Sequence, residues 1–163
     1  MDEQSVDSQI KSLASTLTER GEMLVTAESC TGGWLAKCIT DIDGSSAWFE
    51  GGVVSYSNAL KQKVLGVPET VLLTEGAVSE ACACAMASGA KNRLQGDWAV
   101  SITGIAGPGG GSDDKPVGTV WVGVAGPGLL QATRFLFQGG RDEVRQQTVE
   151  AALSLLLSRV STR

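Results

Sequence analysis

Apolar residues recur at Val6, Ile10, Leu13, Ala14 and Leu17, the spacing of one helix face, so residues 5–20 are predicted to form an amphipathic first helix. The period then changes. "EMLVTAE" (22–28) is short and apolar and reads as a strand, and the helical pattern of Trp34, Leu35, Cys38 and Ile39 follows it across "SCTGG". "WFEGGVVSYS" (48–57) predicts a second strand, with Asn58 placed to cap a short helix through "ALKQKVLG". The turn "EGAVS" leads to Ser79 and a small-residue helix from about 80 to 94, with Glu80 in its first turn.

"DWAVSITG" (97–104) reads as a buried strand that stops at a glycine-rich loop, "GIAGPGGGSDDKP". "VGTVWVGVAG" and "LLQATRFLFQG" flank a "PG" pair, the pattern of an antiparallel hairpin. A final helix covers "RDEVRQQTVEAALSLLLSRV", with Asp142 and Glu143 where the helix dipole favours them. This order predicts a three-layer α/β/α sandwich whose mixed sheet is parallel early and antiparallel late.

Composition narrows the picture. The 163 residues fit one domain, and no apolar run reaches the roughly 18 residues a membrane span requires. The acidic, polar start "MDEQSVDSQIKSL" is no signal peptide, so the cytoplasm is the expected compartment, with no membrane partner. Cys30, Cys38, Cys82 and Cys84 show no metal-binding spacing and are expected as free thiols. A net charge of −5 without a Lys/Arg cluster argues against nucleic-acid binding, while leaving room for a small anionic ligand. The chain has no histidine, which excludes any imidazole base.

Ligands of open α/β sheets gather beyond the carboxyl ends of strands. Three loops qualify: 28–33, 56–61 and 103–115. Ser29 follows the first strand, and the N–H groups of Thr31, Gly32 and Gly33 open the next helix, where they are able to hold an oxyanion. The same stretch also reads as a plain glycine turn with Thr31 as cap. If Ser29 is a nucleophile, lysine is the available base. Lys61, third in a helix capped by Asn58, sits at the positive end of the helix dipole, where its pKa is expected to fall. Tyr56 is placed to bridge lysine and serine, or to pack on the core. In the glycine-rich loop, Thr103, Gly104 and Ala106 lie just past a buried strand, within reach of a ligand. Asp113 and Asp114 read as Mg²⁺ contacts or as a solvated turn. Arg141 and Arg145, one helical turn apart, read as a phosphate clamp or as solvated surface.

"AESCTGG", "GGVVSYSNALK", "SITGIAGPGGGSDDKPVGTVW" and "GGRDEVRQQTVEAAL" occur in the order found in the C-terminal domain family of the competence-damage-inducible CinA proteins. The chain resembles that family over about residues 5–157, and most closely its stand-alone nicotinamide-nucleotide amidohydrolases. The molybdopterin-binding-like domain that precedes this module in full-length CinA is missing. The resemblance implies one domain over 1–163 that hydrolyses the carboxamide of nicotinamide mononucleotide, releasing ammonia, with no cofactor and no metal. It also implies a homodimer, for which the apolar helix "ACACAMASGA" is the expected interface.

By position, the resemblance puts the nucleophile on Ser29 with Lys61 and Tyr56 as its partners, and puts ligand contacts on Thr31 to Gly33, on Asn58 and on Thr103, Gly104, Ile105, Ala106 and Gly107. Arg141 is a weaker carry-over, because the residue before it, often acidic in relatives, is Gly140 here. Cys30 competes with Ser29 as nucleophile; adjacent side chains diverge, so only one is expected to face the pocket. The alternatives are a non-enzymatic nucleotide-binding accessory module, or hydrolysis of another small amide.

Overall fold

The computed structural model describes residues 1–162. Helix α1 (Glu3–Arg20) starts at Asp2, whose carboxylate accepts from the Ser5 N–H, and ends at Gly21, where φ is 66°. Its Val6, Ile10, Leu13 and Leu17 are buried, so the apolar stripe read from the sequence is the face that packs.

Strand β1 (Leu24–Glu28) is buried at all five positions, as expected of a central strand covered on both sides. It pairs in parallel with β2 (Phe49–Val54) and with β3 (Trp98–Gly104). Strands β4 (Thr119–Gly126) and β5 (Leu129–Leu136) continue the sheet antiparallel, giving the order β2-β1-β3-β4-β5. The predicted mixed sheet is therefore present, with the hairpin turning at Pro127 and Gly128.

The helices divide between the two faces. Helix α2 (Trp34–Thr40), helix α6 (Arg141–Ser161) and α1 cover Leu24, Trp98, Val100, Ile102, Val120, Val122 and Val124. Helices α3 (Asn58–Leu65), α4 (Glu69–Thr74) and α5 (Glu80–Arg93) cover Val25, Ala27, Ala99 and Ala125. Large side chains fill the first layer and small ones the second, so α5 can lie close to the sheet. Ser101 Oγ donates to the Ala83 carbonyl at 2.7 Å. A Cβ on Gly123 would come within 2.6 Å of that same carbonyl oxygen.

Cys82, Ala83, Met86, Ala87 and Ala90 of the "ACACAMASGA" helix are buried against the sheet, which leaves only the half-buried Ala81, Cys84 and Ala85 of its apolar residues to the expected interface. All four cysteines are free thiols, as expected. Among the described residues no helix is long and apolar enough to cross a membrane.

One close approach positions the site. A Cβ on Gly89 of α5 would lie 1.9 Å from the Leu65 carbonyl oxygen, so only glycine lets α3 seat where it does. Gly89→Ala is expected to cost about 1–3 kcal/mol of stability, since the clash is with backbone. Urea unfolding measures that loss. Turnover is expected to fall further than stability does, because α3 carries Lys61.

Candidate active site

Ser29 sits where β1 ends, pinned from both sides. Its N–H donates to the Ile102 carbonyl of β3 at 3.1 Å, and the Ser55 N–H donates to the Glu28 carbonyl at 2.9 Å. Beyond it the chain turns sharply: Gly32 and Gly33 have φ of 62° and 102°, a left-handed conformation that glycine adopts without a Cβ clash. The Gly32 N–H closes the turn on the Ser29 carbonyl at 3.1 Å.

The residue that organises this turn is Glu28, the last residue of β1, to which the sequence pattern assigns no role beyond the strand. Its carboxylate is 1% exposed. It accepts from Thr31 Oγ1 at 2.6 Å and from the N–H groups of Leu35 and Ala36, each at 3.0 Å. Two free donors at the start of α2 are thereby satisfied from the strand side. Thr31 is not the cap; it is a donor to the carboxylate that caps. The available signal was an acid at the end of an apolar strand directly before a glycine turn.

Lys61 reaches Ser29 from the neighbouring helix. Ser57, not Asn58, is the N-cap of α3, its side chain accepting from the Leu60 N–H, so Lys61 is the fourth helical residue. Its Nζ lies 3.0 Å from Ser29 Oγ, 2.9 Å from the Ser55 carbonyl and 3.0 Å from the Tyr56 carbonyl. The side chain is 1% exposed, and no carboxylate forms an ion pair with it among the described residues. Burial drives its pKa below the usual lysine value, opposed in part by the Cys82 and Cys30 thiols. Desolvation rather than the helix end is thus the main cause, because α3 leads Nζ into the protein.

Nζ donates to three acceptors, the Ser55 and Tyr56 carbonyls and Ser29 Oγ. An ammonium has three donors and no acceptor, whereas a neutral amine has two donors and one lone pair. On loss of one proton the two carbonyls keep their N–H donors and the lone pair is turned to Ser29 Oγ, so the same contact then runs from hydroxyl to nitrogen. Cys30 also borders the pocket, while its side chain belongs to the core cluster beneath α1, α2 and α6. Burial pushes its thiol up to about 11, which leaves it protonated near neutral pH and a poor nucleophile.

Ser29, Cys30 and Lys61 open into a pocket of about 300 Å³ together with Tyr56, Asn58, Gly104, Ile105, Ala106, Gly107 and Arg141. Ala77, Gly109 and Gly110, which sequence reading had not singled out, complete it. Tyr56 is 61% exposed, and the hydrogen bond to Lys61 uses its backbone carbonyl; its phenol makes no hydrogen bond among the described residues. The glycine-rich loop is pinned to β4 by Ile105 N–H to Thr119 and Gly118 N–H to Ile105, at 2.9 and 2.8 Å. Past those bonds, the N–H groups of Ala106, Gly107, Gly109 and Gly110 donate to no backbone carbonyl among the described residues. Arg141 Nη1 donates to the Gly107 carbonyl at 2.7 Å, which ties α6 to this loop at the pocket wall.

Four expected contacts lie elsewhere. Thr103 is 1% exposed and spends its hydroxyl on the Ala77 carbonyl at 2.8 Å, joining β3 to the turn before α5. Thr31, Gly32 and Gly33 line a separate hollow with Trp34, Lys37 and Arg145, because Glu28 pulls Thr31 under the turn. Among the described residues no cluster of acids, cysteines or histidines could hold a metal, and Asp113 and Asp114 are exposed.

The chain is similar over nearly its whole length to known proteins. The family model for the CinA C-terminal domain matches residues 6–160. The chain is 53% identical over 147 residues, 88% of each protein, to the nicotinamide-nucleotide amidohydrolase PncC of Escherichia coli K12. It is 48% identical to a CinA-like protein of Parasynechococcus marenigrum, matching 96% of this chain but 38% of that longer protein. The crystal structure of competence damage-inducible protein A from Klebsiella pneumoniae superposes with a TM-score of 0.92 at 36% identity, covering 96% of this chain and 97% of that one. A competence/damage-inducible protein from Agrobacterium tumefaciens superposes at 0.91 with 41% identity, covering 94% of each.

Proposed function

The chain belongs to the CinA C-terminal domain family, and from that membership we propose that it is a nicotinamide-nucleotide amidohydrolase, converting nicotinamide mononucleotide and water to nicotinate mononucleotide and ammonia. The observation that carries the mechanism is the 3.0 Å contact between Lys61 Nζ and Ser29 Oγ in a buried site with no histidine. Neutral Lys61 takes the Ser29 proton as the oxygen attacks the carboxamide carbon, and the charge that develops on the carbonyl oxygen is held by amides of the turn after Ser29. The Lys61 ammonium then returns its proton to the leaving nitrogen, and ammonia departs as the tetrahedral adduct collapses to an acyl-enzyme. Water, deprotonated by the same lysine, attacks that ester and frees Ser29.

Of the expected amides of Thr31, Gly32 and Gly33, the Gly32 N–H is already used within the turn and Gly33 lies beyond it, so the donors are the Thr31 N–H, on the side of its peptide plane away from Arg145, and the Cys30 N–H, whose residue lines the pocket. The phosphate falls to Arg141 and the free N–H groups of the 106–110 loop, where remote binding energy orients the carboxamide toward Ser29. Tyr56, at the rim, contributes its carbonyl to Lys61 and its ring to the pocket wall. Strands and helices from residue 3 to residue 161 share one sheet, which supports a single catalytic domain.

Ammonia release from nicotinamide, its riboside and its mononucleotide tests this reading. The mononucleotide is expected to give the highest kcat/KM. No release above a Lys61→Ala control from any of the three would remove the hydrolase reading and favour the nucleotide-binding module.

A further inference from the structure

The two arginines of α6 are one turn apart yet serve different loops. Arg141 reaches the Gly107 carbonyl at the pocket wall. Arg145 reaches the turn after Ser29: its Nε donates to the Cys30 carbonyl at 3.0 Å and its Nη2 to the Thr31 carbonyl at 3.2 Å. Its guanidinium carbon lies 5.5 Å from the centroid of the Trp34 ring, so one face is covered by indole. The approach to the turn is close, since a Cβ on Gly32 would come within 3.3 Å of Arg145 Nη2.

Peptide planarity turns these contacts into an orientation. In a trans peptide the C=O and the following N–H point in opposite directions. Holding the Cys30 carbonyl therefore fixes the Thr31 N–H on the opposite side of that plane, and holding the Thr31 carbonyl does the same for the Gly32 N–H, which closes on Ser29. The Cys30 and Thr31 N–H groups donate to no backbone carbonyl. Glu28 braces the same turn from beneath, through Thr31 Oγ1 and the first amides of α2.

We propose that Arg145 is a positioning residue of the reaction: by gripping the Cys30 and Thr31 carbonyls it holds the peptide after Ser29 in the orientation that presents a free amide to the oxyanion, and it is not a phosphate contact. The inference rests on reading Ser29 as the nucleophile. Three observations separate Arg145 from a phosphate ligand. It lines the hollow with Thr31 to Trp34 and Lys37, not the Ser29 pocket that Arg141 lines. Two of its donors are already used by carbonyls, and an aromatic ring covers one face of the group.

Arg145→Met removes the donors and keeps a long side chain on Trp34; Arg145→Lys can reach one carbonyl. Two readouts apply to each folded variant: kcat and KM on the mononucleotide and the riboside, and the rate at which a fluorophosphonate labels Ser29, followed by mass spectrometry. With Arg145→Met, kcat and the labelling rate are expected to fall by about 10–100-fold, the scale of a misplaced oxyanion donor. KM is expected to stay unchanged on both substrates, with the acidic limb of the pH profile in place because Lys61 is untouched. Arg145→Lys is expected to fall between Arg145→Met and the parent.

A KM rise confined to the mononucleotide, with kcat preserved, would overturn the proposal in favour of a phosphate contact. An unchanged labelling rate in both variants overturns it outright. If Arg145→Met does not fold, Arg145→Lys decides alone, and parental kcat and labelling in that variant count against the role. If the parent turns over no nicotinamide compound, the substrate reading fails, while fluorophosphonate labelling still reads the effect of Arg145 on Ser29.

Discussion

Ser29→Ala is expected to lower ammonia release from nicotinamide mononucleotide by about 10⁴-fold or more, the scale on which hydrolases that act through a nucleophile–base unit lose turnover when the nucleophile is deleted. Cys30→Ala is expected to leave turnover close to that of the parent. The two residues are neighbours, both buried and both at the pocket, so residue type alone does not separate them. Their partners do. Ser29 Oγ is 3.0 Å from a lysine nitrogen with two other carbonyl partners, whereas burial holds the Cys30 thiol in its protonated form. Steady-state kinetics on both variants decides the assignment, and the reverse outcome, with Ser29→Ala active and Cys30→Ala inactive, would move the nucleophile to the thiol.

Lys61→Met is expected to be the second severe loss, again about 10⁴-fold in kcat, because no other base is within reach of Ser29 and no histidine exists to substitute. In the parent, kcat/KM is expected to rise with pH through a group titrating below the usual lysine value, since burial lowers the Lys61 pKa and only the neutral amine accepts a proton. The linked effect on stability has a definite sign. A lysine whose folded pKa is depressed binds fewer protons in the folded state than in the unfolded one between those two values. Stability therefore rises with pH across that window. The penalty for burying Lys61 is full below the folded pKa and relieved as pH approaches the unfolded lysine value of about 10.4. Relative to Lys61→Met, the parent is expected to gain stability over that range, which denaturant unfolding at a series of pH values would show. A pH-independent difference between the two proteins would mean that Lys61 is charged in the folded state.

Much of the fold was legible because it follows from local periodicity. The helical stripe of Val6, Ile10, Leu13 and Leu17, the short, mostly apolar run of β1 and the Pro127–Gly128 hairpin are each set by residues near one another in the chain. The sequence-based expectations failed where a polar group had a choice of partners. Thr31 and Asn58 read as caps, and the caps are Glu28 and Ser57. The hydroxyls of Thr31 and Thr103, both read as ligand contacts, are satisfied inside the protein, which leaves their backbone groups for that role. The small-residue helix α5 read as a candidate interface, but its Cys82, Met86, Ala87 and Ala90 pack on Val25, Ala27, Ala99 and Ala125, which come from strands distant in the chain on both sides of it.

Element order, the absence of an imidazole base and the three candidate loops all follow from composition and short-range spacing. Which groups in those loops meet depends on packing between distant parts of the chain. Lys61 and Ser29 are thirty-two positions apart and Arg145 and Cys30 one hundred and fifteen, and their contacts exist because β1 is central, α3 is seated against Gly89 and α6 crosses the ends of two loops. Burial made the remaining choice. Of the lysines in the chain, only Lys61 is fully removed from water with no carboxylate beside it, and that environment, which no local pattern encodes, lowers its pKa at a nitrogen 3.0 Å from Ser29 Oγ.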